Sequence, residues 1–261
     1  MDLQLRGKKA LVTGSTAGIG LAIATALARE GADVVINGRT EARVGDAVRK
    51  VQKNARGSVS GIAADTGARA GTDQVIGELA DVDVLVNNLG IFEPKPFERI
   101  PDEDWVRFFE VNVLSGIRLT RAYLPGMLKR NWGRVVFISS ESAFQIPAEM
   151  IHYGMTKSAQ VAVARGIAEM TAGTGVTVNS VLPGPTRSEG VEVFVDQLSG
   201  GKNFAEFERE FFASVRPTSL LKRFETVEEI ASVVAFVCSP LAAAINGAAV
   251  RAEGGVIKSA F

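Results

Sequence analysis

The amino-acid sequence predicts one α/β domain in which a seven-stranded parallel sheet is covered by helices on both faces. Short runs rich in apolar and β-branched residues alternate with longer amphipathic segments along all 261 residues, a pattern typical of consecutive βαβ units. The short runs are continuously apolar, as expected for parallel strands with two covered faces. No linker, repeat or low-complexity segment divides the chain, so residues 1–261 are predicted to form a single doubly wound domain.

The individual elements follow from this alternation. We expect strands at residues 10–13, 34–37, 61–64, 82–87, 135–139, 176–181 and 248–252. Among the intervening segments, we expect helices at residues 18–30, 102–128, 153–172 and 227–238. Seven strands are enough for one sheet, and right-handed crossovers would place the helices on both of its faces.

Residues 188–221 interrupt this pattern. The stretch is longer than an ordinary loop and rich in apolar side chains, and the pair Gly200-Gly201 divides it into two predicted short helices. A long irregular insertion in a compact α/β domain is often a lid over a binding site. A subunit interface or plain packing is the alternative interpretation.

Composition and charge exclude several kinds of partner. The 29 acidic and 29 basic residues balance, so no overall attraction to nucleic acid or to an acidic membrane is expected. The first residues lack the apolar core of a signal peptide, and no run of about 18 apolar residues follows. We expect a soluble cytoplasmic protein without a metal site. Cys238 is the only cysteine, and its apolar neighbours predict a small buried side chain.

A glycine-rich turn follows the first predicted strand. Residues 13–20 read Thr-Gly-Ser-Thr-Ala-Gly-Ile-Gly and lead directly into a helix. Glycines let the backbone approach a pyrophosphate closely, and the helix N-terminus offers it N–H groups and a positive dipole end. This strand–turn–helix context predicts a dinucleotide site of the Rossmann type. The expected cofactor contacts are Gly14, Ser15, Thr16, Gly18, Ile19 and Gly20.

The glycine spacing resembles the T-G-x-x-x-G-x-G pattern of the short-chain dehydrogenase/reductase family, and the resemblance runs from about residue 5 to residue 255. It implies that Asp65 and Thr66, after the third strand, lie near the adenine. Asn88 and Gly90 look like part of the family's N-N-A-G, with Leu89 in place of the usual alanine. The segment after the sixth strand is expected to hold the nicotinamide carboxamide. Its expected contacts are Pro183, Gly184, Thr186 and Ser188.

Tyr153 and Lys157 carry the Tyr-x-x-x-Lys pattern of the same family. Positions i and i+4 share one helix face, so the phenol and the ammonium can point into one site. A free phenol has a pKa near 10, and we expect the ammonium and an oxidised nicotinamide to lower it. Tyr153 would then exchange a proton with the substrate oxygen. The resemblance implies that Lys157 also holds the nicotinamide ribose.

Two further residues complete the catalytic set that the resemblance implies. Ser140 precedes Tyr153 by thirteen residues, the spacing found in the family, and would hydrogen-bond the substrate oxygen as charge develops there. Asn112 matches the asparagine by which relatives bend a helix and hold a water for proton relay. The single histidine, His152, adjoins Tyr153 but points about 100° away on a helix. A structural or pocket-edge role is therefore expected for it.

The end of the second strand indicates which nicotinamide cofactor binds. An acidic residue there would bind the adenosine ribose and repel a 2′-phosphate, but Gly38 occupies the position and Arg39 follows it. A guanidinium suits a phosphate through charge-assisted hydrogen bonds, and Ser15 would add a hydroxyl donor. We therefore expect NADP(H) in preference to NAD(H). In the alternative interpretation, Arg39 is an ordinary surface residue.

These features predict an oxidoreductase that transfers hydride reversibly between NADP(H) and a small or medium-sized carbonyl or alcohol substrate. The pattern also resembles 3-oxoacyl-carrier-protein reductases, although Asn131 and Thr174 stand where basic residues would help to dock an acidic carrier. A non-catalytic cofactor-binding regulator is disfavoured because the catalytic residues are intact. Relatives are commonly tetramers, so a homo-oligomer, tetramer or dimer, is expected. The residues expected to line the substrate pocket are Phe92, Pro94, Ala143, Phe144, Gln145 and Met150, together with residues 188–221.

Overall fold

A computed structural model describes residues 1–189 and 203–260 of the chain. Its strands are β1 (Lys9–Val12), β2 (Asp33–Gly38), β3 (Val59–Ala63), β4 (Val84–Asn87), β5 (Gly133–Ile138), β6 (Val176–Pro183), β7 (Thr186–Arg187), β8 (Glu225–Thr226) and β9 (Ala249–Ala252). Seven of them form one parallel sheet in the order β3-β2-β1-β4-β5-β6-β9, and β7 pairs with β8 in a second sheet. Each predicted strand coincides with a strand of the main sheet, which confirms the doubly wound fold.

Helices connect these strands across both faces of the sheet. They are α1 (Gly18–Arg29), α2 (Glu41–Gln52), α3 (Arg69–Glu78), α4 (Asp102–Phe109), α5 (Ser115–Lys129), α6 (Ile151–Glu169), α7 (Phe204–Glu210) and α8 (Val227–Val237). The single helix predicted at residues 102–128 is α4 followed by α5, with one π-helical turn (Glu110–Leu114) between them. Such a turn inserts an extra residue into the helical ladder, often at a functional site. Among the described helices, none is both long and apolar enough to span a bilayer.

The sheet buries one apolar layer on each face. Neighbouring residues of a strand point to opposite faces, so Val84 and Val86 belong to one layer and Leu85 to the other. Side chains of α1, α2 and α8 complete the first layer, and those of α3, α5 and α6 complete the second. Cys238 is fully buried in the first layer, as predicted, and burial raises the pKa of its thiol to about 12. Covering on both faces explains the continuously apolar strands.

The strand order reverses between β1 and β4, and this reversal positions the functional site. The chain passes from β1 to β2 on one side of the sheet and later returns to place β4 on the other side of β1. Loops that leave the carboxyl ends of neighbouring strands diverge at such a point and open a crevice. The segments after β1, β4, β5 and β6, which hold most predicted site residues, therefore meet at one edge of the sheet.

The predicted lid at residues 188–221 is described in part, since residues 190–202 lie outside the described residues. After them, α7 continues into a second π turn (Phe211–Val215) that leads toward β8. Phe224 holds this part together, because its ring lies 5.0–6.4 Å from four neighbouring aromatic rings. These rings belong to Phe204, Phe207, Phe211 and Phe212.

Candidate active site

A cavity of about 850 Å³ opens at the carboxyl ends of the strands. Its walls bring together predicted cofactor and catalytic residues from five separate segments of the chain. These residues are Gly18, Ile19, Gly20, Asn88, Gly90, Ser140, Tyr153, Lys157, Pro183, Gly184, Thr186 and Ser188. The other predicted residues, Gly14, Ser15, Thr16, Arg39, Asp65, Thr66 and Asn112, are not part of its walls.

The glycine-rich turn allows a ligand to approach the backbone closely. Gly14 and Gly18 have positive φ angles of 59° and 55°, which residues with a side chain rarely adopt. A Cβ at Gly20 would lie 2.4 Å from Asn88 Nδ2 and 2.5 Å from the Gly14 carbonyl oxygen. The N-cap residue Ala17 offers no side-chain acceptor to α1, which leaves the N–H groups of the first helical turn for a ligand. These features fit the pyrophosphate of a dinucleotide.

Asn88 shapes this turn from the end of β4. Its Nδ2 donates to the carbonyl oxygens of Thr13 at 2.9 Å and of Gly14 at 3.1 Å. The Thr13 hydroxyl oxygen accepts the main-chain N–H groups of Asn88 and Leu89, both at 3.0 Å. Leu89, the departure from the family pattern, contacts the turn as well, since a Cβ at Gly14 would lie 3.3 Å from its Cδ1. The side chain of Asn88 therefore fixes the backbone to which the predicted phosphate contacts belong.

A buried polar layer supports the adenosine end of the cleft, centred on Asn37 at the end of β2. Its Nδ2 donates to two carbonyl oxygens near the end of β3 at 3.2 and 3.1 Å. Its Oδ1 accepts the hydroxyl of Thr66 at 3.0 Å. The hydroxyl of Ser15 donates to the Val12 carbonyl oxygen at 2.7 Å and accepts the Asn37 N–H at 3.0 Å. Asn37 thus connects the ends of three strands.

This layer includes Ser15 and Thr66, two of the predicted cofactor contacts. Both side chains are buried, and each hydroxyl donates its proton inside the protein. Their contacts with a 2′-phosphate and an adenine therefore stay predictions, and a hydroxyl proton given to the cofactor would have to leave its present acceptor. Asn37, which binds both, was not predicted. The available signal was an amide side chain in an otherwise apolar strand, where a buried polar group needs partners.

The charged residues predicted at the adenosine end, Arg39 and Asp65, are exposed. Arg39 follows Gly38, where a Cβ would lie 2.4 Å from Thr16 Cγ2. Packing against Thr16 thus accounts for the missing acidic side chain at residue 38. Asp65 accepts the N–H of Gly67 at 3.0 Å through Oδ1. The end of β2 therefore presents a basic side chain at residue 39 and no acidic side chain at residue 38, the two positions from which we predicted the cofactor preference.

Tyr153 and Lys157 lie one turn apart on α6, as their spacing predicted. Lys157 Nζ is 5.5 Å from the centroid of the Tyr153 ring. The ammonium is buried and donates to the carbonyl oxygen of Ile138 at 2.9 Å and to Oε1 of Gln160 at 3.2 Å. Two neutral acceptors thus hold the lysine beside the phenol.

Burial dominates the acid–base properties of this pair. It raises the pKa of Tyr153 to about 12, with the Ser140 hydroxyl lowering it in part and the Glu141 carboxylate raising it further. Burial also lowers the pKa of Lys157 to about 7. The protein alone therefore favours the neutral phenol, which is the proton-donating form, whereas a lowered pKa was expected. Desolvation dominates here, and the groups that lower the pKa of Tyr153 are Ser140 and Arg216, whereas the Lys157 ammonium was expected to do so.

Ser140 stands directly after β5, and its hydroxyl oxygen accepts the N–H of Ser142 at 3.1 Å. It is 8% exposed and lines the cavity. The Ser140 hydroxyl also hydrogen-bonds the Tyr153 side chain, which lowers the pKa of Tyr153, so the two catalytic hydroxyls lie next to each other. The neighbouring Ser139 points the other way and donates to the Lys157 carbonyl oxygen at 2.8 Å. The structure therefore distinguishes the two adjacent serines as the predicted spacing did.

Asn112 lies in the first π turn and ties it to the loop after β4. Its Nδ2 donates to the Ile91 carbonyl oxygen and to Thr156 Oγ1, both at 3.0 Å, and its Oδ1 accepts the Ile91 N–H at 2.8 Å. Its main-chain carbonyl oxygen accepts Nε2 of Gln160 at 2.6 Å. Gln160 therefore bridges the π turn and the Lys157 ammonium. The resemblance implied a bound water at this asparagine, and this protein contact was not predicted.

The loop after β6 is supported by a buried carboxyl group. The N–H of Gly184 lies 3.0 Å from Glu225 Oε2 and 3.0 Å from the Ala252 carbonyl oxygen. A Cβ at Gly184 would lie 2.7 Å from the Glu253 carbonyl oxygen, so the close approach requires glycine. The Thr186 hydroxyl donates to the Gly184 carbonyl oxygen at 2.9 Å. Burial raises the pKa of Glu225 to about 7, which makes its carboxyl group a partly protonated support near neutral pH.

His152 lies outside the cavity, in an aromatic environment. Its ring is fully buried, with centroids 4.0 Å from Phe108 and 6.0 Å from Trp105. Neither ring nitrogen has a hydrogen-bond partner among the described residues. Burial lowers the pKa of His152, which favours the neutral ring. This placement agrees with the structural role expected from its position on α6.

The substrate end of the cavity contains an ion-pair network that the sequence did not reveal. Arg216 Nε lies 2.8 Å from Glu141 Oε1, and Arg216 Nη1 lies 3.3 Å from Glu149 Oε1. Glu141 follows Ser140 directly, whereas Arg216 comes 75 residues later. Burial opposes the charge on Arg216, but the two carboxylates raise the pKa of its guanidinium above the usual value. The Arg216 guanidinium therefore stays charged beside the catalytic serine.

The predicted substrate-pocket residues divide into two groups. The cavity walls include Phe92, Pro94 and Met150. They do not include Ala143, Phe144 and Gln145. The chain turns away after Ser140 in a 3₁₀ turn (Glu141–Ala143), which leaves the Phe144 ring exposed. In place of these residues, Phe207 and Phe211 from the described part of residues 188–221 form the apolar wall.

Comparisons with known proteins identify relatives of this chain over its whole length. A family model described as short chain dehydrogenase matches residues 8–198. The uncharacterized oxidoreductase YvaG of Bacillus subtilis (strain 168) is 49% identical over 100% of both chains. The 3-oxoacyl-[acyl-carrier-protein] reductase FabG of Aquifex aeolicus is 32% identical over 98% of this chain and 100% of that protein. A solved structure of L-sorbose reductase from Gluconobacter frateurii, complexed with NADPH and L-sorbose, has a TM-score of 0.93 at 29% identity and covers 99% of this chain and 100% of that chain.

Proposed function

The chain belongs to the short-chain dehydrogenase family, and we propose that it transfers hydride reversibly between NADP(H) and a small carbonyl or alcohol substrate. The observation that carries this proposal is that the glycine-rich turn meets Ser140, Tyr153 and Lys157 around one cavity. A pyrophosphate cradle and a proton donor in one cavity are what a nicotinamide-dependent reaction at a C=O or CH–OH group requires.

In the direction of reduction, NADPH supplies a hydride to the carbonyl carbon when it is bound. The Tyr153 hydroxyl gives its proton to the carbonyl oxygen, so the phenol O–H bond breaks as the alcohol O–H bond forms. The Ser140 hydroxyl donates a hydrogen bond to the same oxygen while negative charge develops there. The Lys157 ammonium stabilises the phenolate that remains on Tyr153. In oxidation the same groups act in reverse, with the phenolate as the base.

Turnover by the purified protein tests the reaction class. We expect NADPH consumption with members of a panel of ketones and aldehydes, and a decrease in kcat of about 10²–10³ for Ser140→Ala. Ser60→Ala, an exposed serine-to-alanine change on β3 outside the cavity walls, is the matched control. A protein that binds NADPH tightly but turns over no carbonyl would instead act as a cofactor-binding regulator.

We propose NADP(H) as the preferred cofactor because Arg39 is exposed at the end of β2 and residue 38 has no side chain. The L-sorbose reductase structure is a complex with NADPH, which supports this preference. Arg39→Asp should lower the ratio of kcat/KM for NADPH over NADH by about 10- to 100-fold, because a charge-assisted contact is replaced by repulsion. Arg49→Asp, an exposed reversal elsewhere in α2, is the control. An unchanged ratio in Arg39→Asp would remove Arg39 from the cofactor site.

Reduction of acyl-carrier-protein thioesters is the second candidate function, favoured by the 32% identity to FabG of Aquifex aeolicus. It requires that acetoacetyl-acyl-carrier protein be reduced with a much higher kcat/KM than a free small ketone of similar reactivity. Direct comparison of the two substrates at equal NADPH concentration separates the candidates. Equal or higher efficiency with the free ketone would exclude the second candidate.

A further inference from the structure

The substrate end of the cavity carries more negative than positive charge. Among the described lining residues, Arg216 is the only guanidinium, and the carboxylates of Glu141 and Glu149 bind it. The Arg216 and Glu141 side chains are 8% and 5% exposed, and that of Glu149 is 45% exposed. Lys157, the other lining cation, belongs to the catalytic pair. One positive and two negative groups leave the network with a net negative charge.

The segment predicted to cover the substrate strengthens this excess. Its described residues 203–221 contain three acidic and two basic residues. Phe207, Phe211 and Arg216 among them line the cavity, and so does the acidic Glu210. A negatively charged substrate that approaches from this side therefore meets more carboxylates than cations.

Arg216 cannot bind a substrate anion through the same N–H groups without losing a partner. Its Nε donates to Glu141, and its Nη1 donates to Glu149 and to the Val215 carbonyl oxygen. A carboxylate placed beside this network would be repelled by both glutamate carboxylates, in a partly buried site where charges interact strongly. An uncharged substrate avoids this repulsion, and its hydroxyl or amine donors find carboxylate acceptors.

We propose that this network selects polar carbonyl and alcohol substrates that are uncharged or positively charged beside the reacting carbon, and rejects carboxylates and acidic acyl carriers. The inference rests on the proposed hydride transfer and narrows its substrate class. The selection acts by repulsion, because an anionic substrate meets the carboxylates of Glu141 and Glu149. An accepted substrate does not need a strong attractive contact at this network.

Matched substrate pairs test this selection. Acetoacetamide and acetoacetate have nearly the same shape but differ by one charge, and so do levulinamide and levulinate. With NADPH at low ionic strength, we expect kcat/KM for the amide to exceed that for the carboxylate by at least about tenfold, with a smaller gap at high salt because exposed charges are screened. Equal efficiencies, or a preference for the carboxylate, would overturn the proposal. Inactivity toward every carbonyl would instead contradict the proposed function.

A binding measurement, which needs no turnover, distinguishes failure of the charge selection from failure of the proposed hydride transfer. The same pairs are titrated into NADPH-loaded Tyr153→Phe protein, and the fluorescence of bound NADPH reports the dissociation constants. Tighter binding of the amides by about tenfold supports charge selection even if no substrate is reduced. Equal binding of both members contradicts it.

Glu149→Gln locates the effect in the network. This half-exposed side chain keeps an oxygen acceptor for Arg216, so the fold should tolerate the change. We expect the ratio of kcat/KM for carboxylate over amide to rise about three- to tenfold, because one of two repelling charges is removed. Glu103→Gln, an exposed change on α4 outside the cavity walls, should leave the ratio unaltered. A ratio that does not rise in Glu149→Gln, or rises equally in Glu103→Gln, would contradict the assignment.

Discussion

The two ends of the cofactor cleft differ in how far the protein organises them by itself. At the catalytic end, Asn112, Ser140 and Lys157 are at most 8% exposed, and each makes hydrogen bonds within the chain. At the adenosine end, the charged residues Arg39 and Asp65 are exposed. At this end, the side chains that are fixed by hydrogen bonds are those of the buried layer around Asn37, beneath the exposed charges.

This difference follows from what each end has to accomplish. Proton transfer requires a donor and an acceptor within hydrogen-bond distance and correctly oriented, so the groups involved are fixed by packing. A phosphate is recognised largely by charge, which acts over longer distances and tolerates several side-chain conformations. We therefore expect large losses from small changes at the catalytic end. At the adenosine end, the buried layer should matter most for stability.

The largest effect is expected for Tyr153→Phe, which removes one hydroxyl and keeps the ring. Loss of the proton donor should lower kcat by about 10²–10⁴, or about 3–5 kcal/mol of transition-state stabilisation. The KM for NADPH and the melting temperature should stay close to those of the wild type. The measurement is single-turnover hydride transfer in both proteins at matched cofactor occupancy. Near-normal rates in the variant would show that Tyr153 is not the proton donor.

The next largest effect is expected in the buried layer, for Asn37→Ala. The substitution leaves the Thr66 hydroxyl and two carbonyl oxygens without their partner. Unsatisfied buried groups of this kind should lower the free energy of unfolding by about 2–3 kcal/mol, measured by urea denaturation. Asn54→Ala, at an exposed position after α2, should change it by less than about 0.5 kcal/mol. Similar stability in both variants would mean that the layer does not support the adenosine end.

Features with a local signal could be predicted from the sequence. Continuously apolar runs identified the strands of the main sheet, because such runs occur where both faces of a strand are covered. The four-residue spacing placed Tyr153 and Lys157 on one face of α6. The glycine-rich turn was recognised by its strand–turn–helix context, and its backbone angles and close contacts fit that interpretation.

Contacts between distant residues gave no such signal. Glu141 and Arg216 are separated by 75 residues, and no periodicity relates them. Ser15 resembled a phosphate ligand because of its place in the turn, but its hydroxyl points back to a carbonyl oxygen of β1. The bridge made by Gln160 depends on the π turn at Asn112, and the extra residue of a π turn is not visible in the apolar pattern of the helix.

A smaller effect at the catalytic end is expected for Gln160, which we regard as a positioning residue for Lys157. Burial lowers the pKa of Lys157 to about 7, so the ammonium form is lost as pH rises through this value. No charged side chain contributes to that shift, and the Tyr153 ring lies 5.5 Å from the ammonium. In Gln160→Met the acceptor is gone and the pKa should fall further. In Gln160→Glu a carboxylate favours the ammonium and the pKa should rise.

The pH profile of kcat/KM for NADPH reports groups of the free enzyme and measures these shifts. The apparent pKa above which kcat/KM falls should decrease by about one pH unit in Gln160→Met and increase by about one unit in Gln160→Glu. Each change is equivalent to about 1.4 kcal/mol. Gln145→Met, in which another hydrogen-bonded glutamine is changed outside the cavity walls, should leave the profile in place. Shifts in the same direction for Met and Glu would reduce Gln160 to a packing role.

The smallest effect is expected for Asp65→Asn at the adenosine end. Asp65 Oδ1 accepts the Gly67 N–H at 3.0 Å, and asparagine keeps an oxygen in that place, so the melting temperature should not change. The variant loses only one exposed charge, and exposed charges contribute less than about 1 kcal/mol. The KM for NADPH should therefore rise by no more than about threefold. Asp65→Ala, which also loses the acceptor, should lower the melting temperature as well. An increase in KM of more than about tenfold in Asp65→Asn would show that this end is as closely organised as the catalytic end, contrary to the distinction drawn from burial.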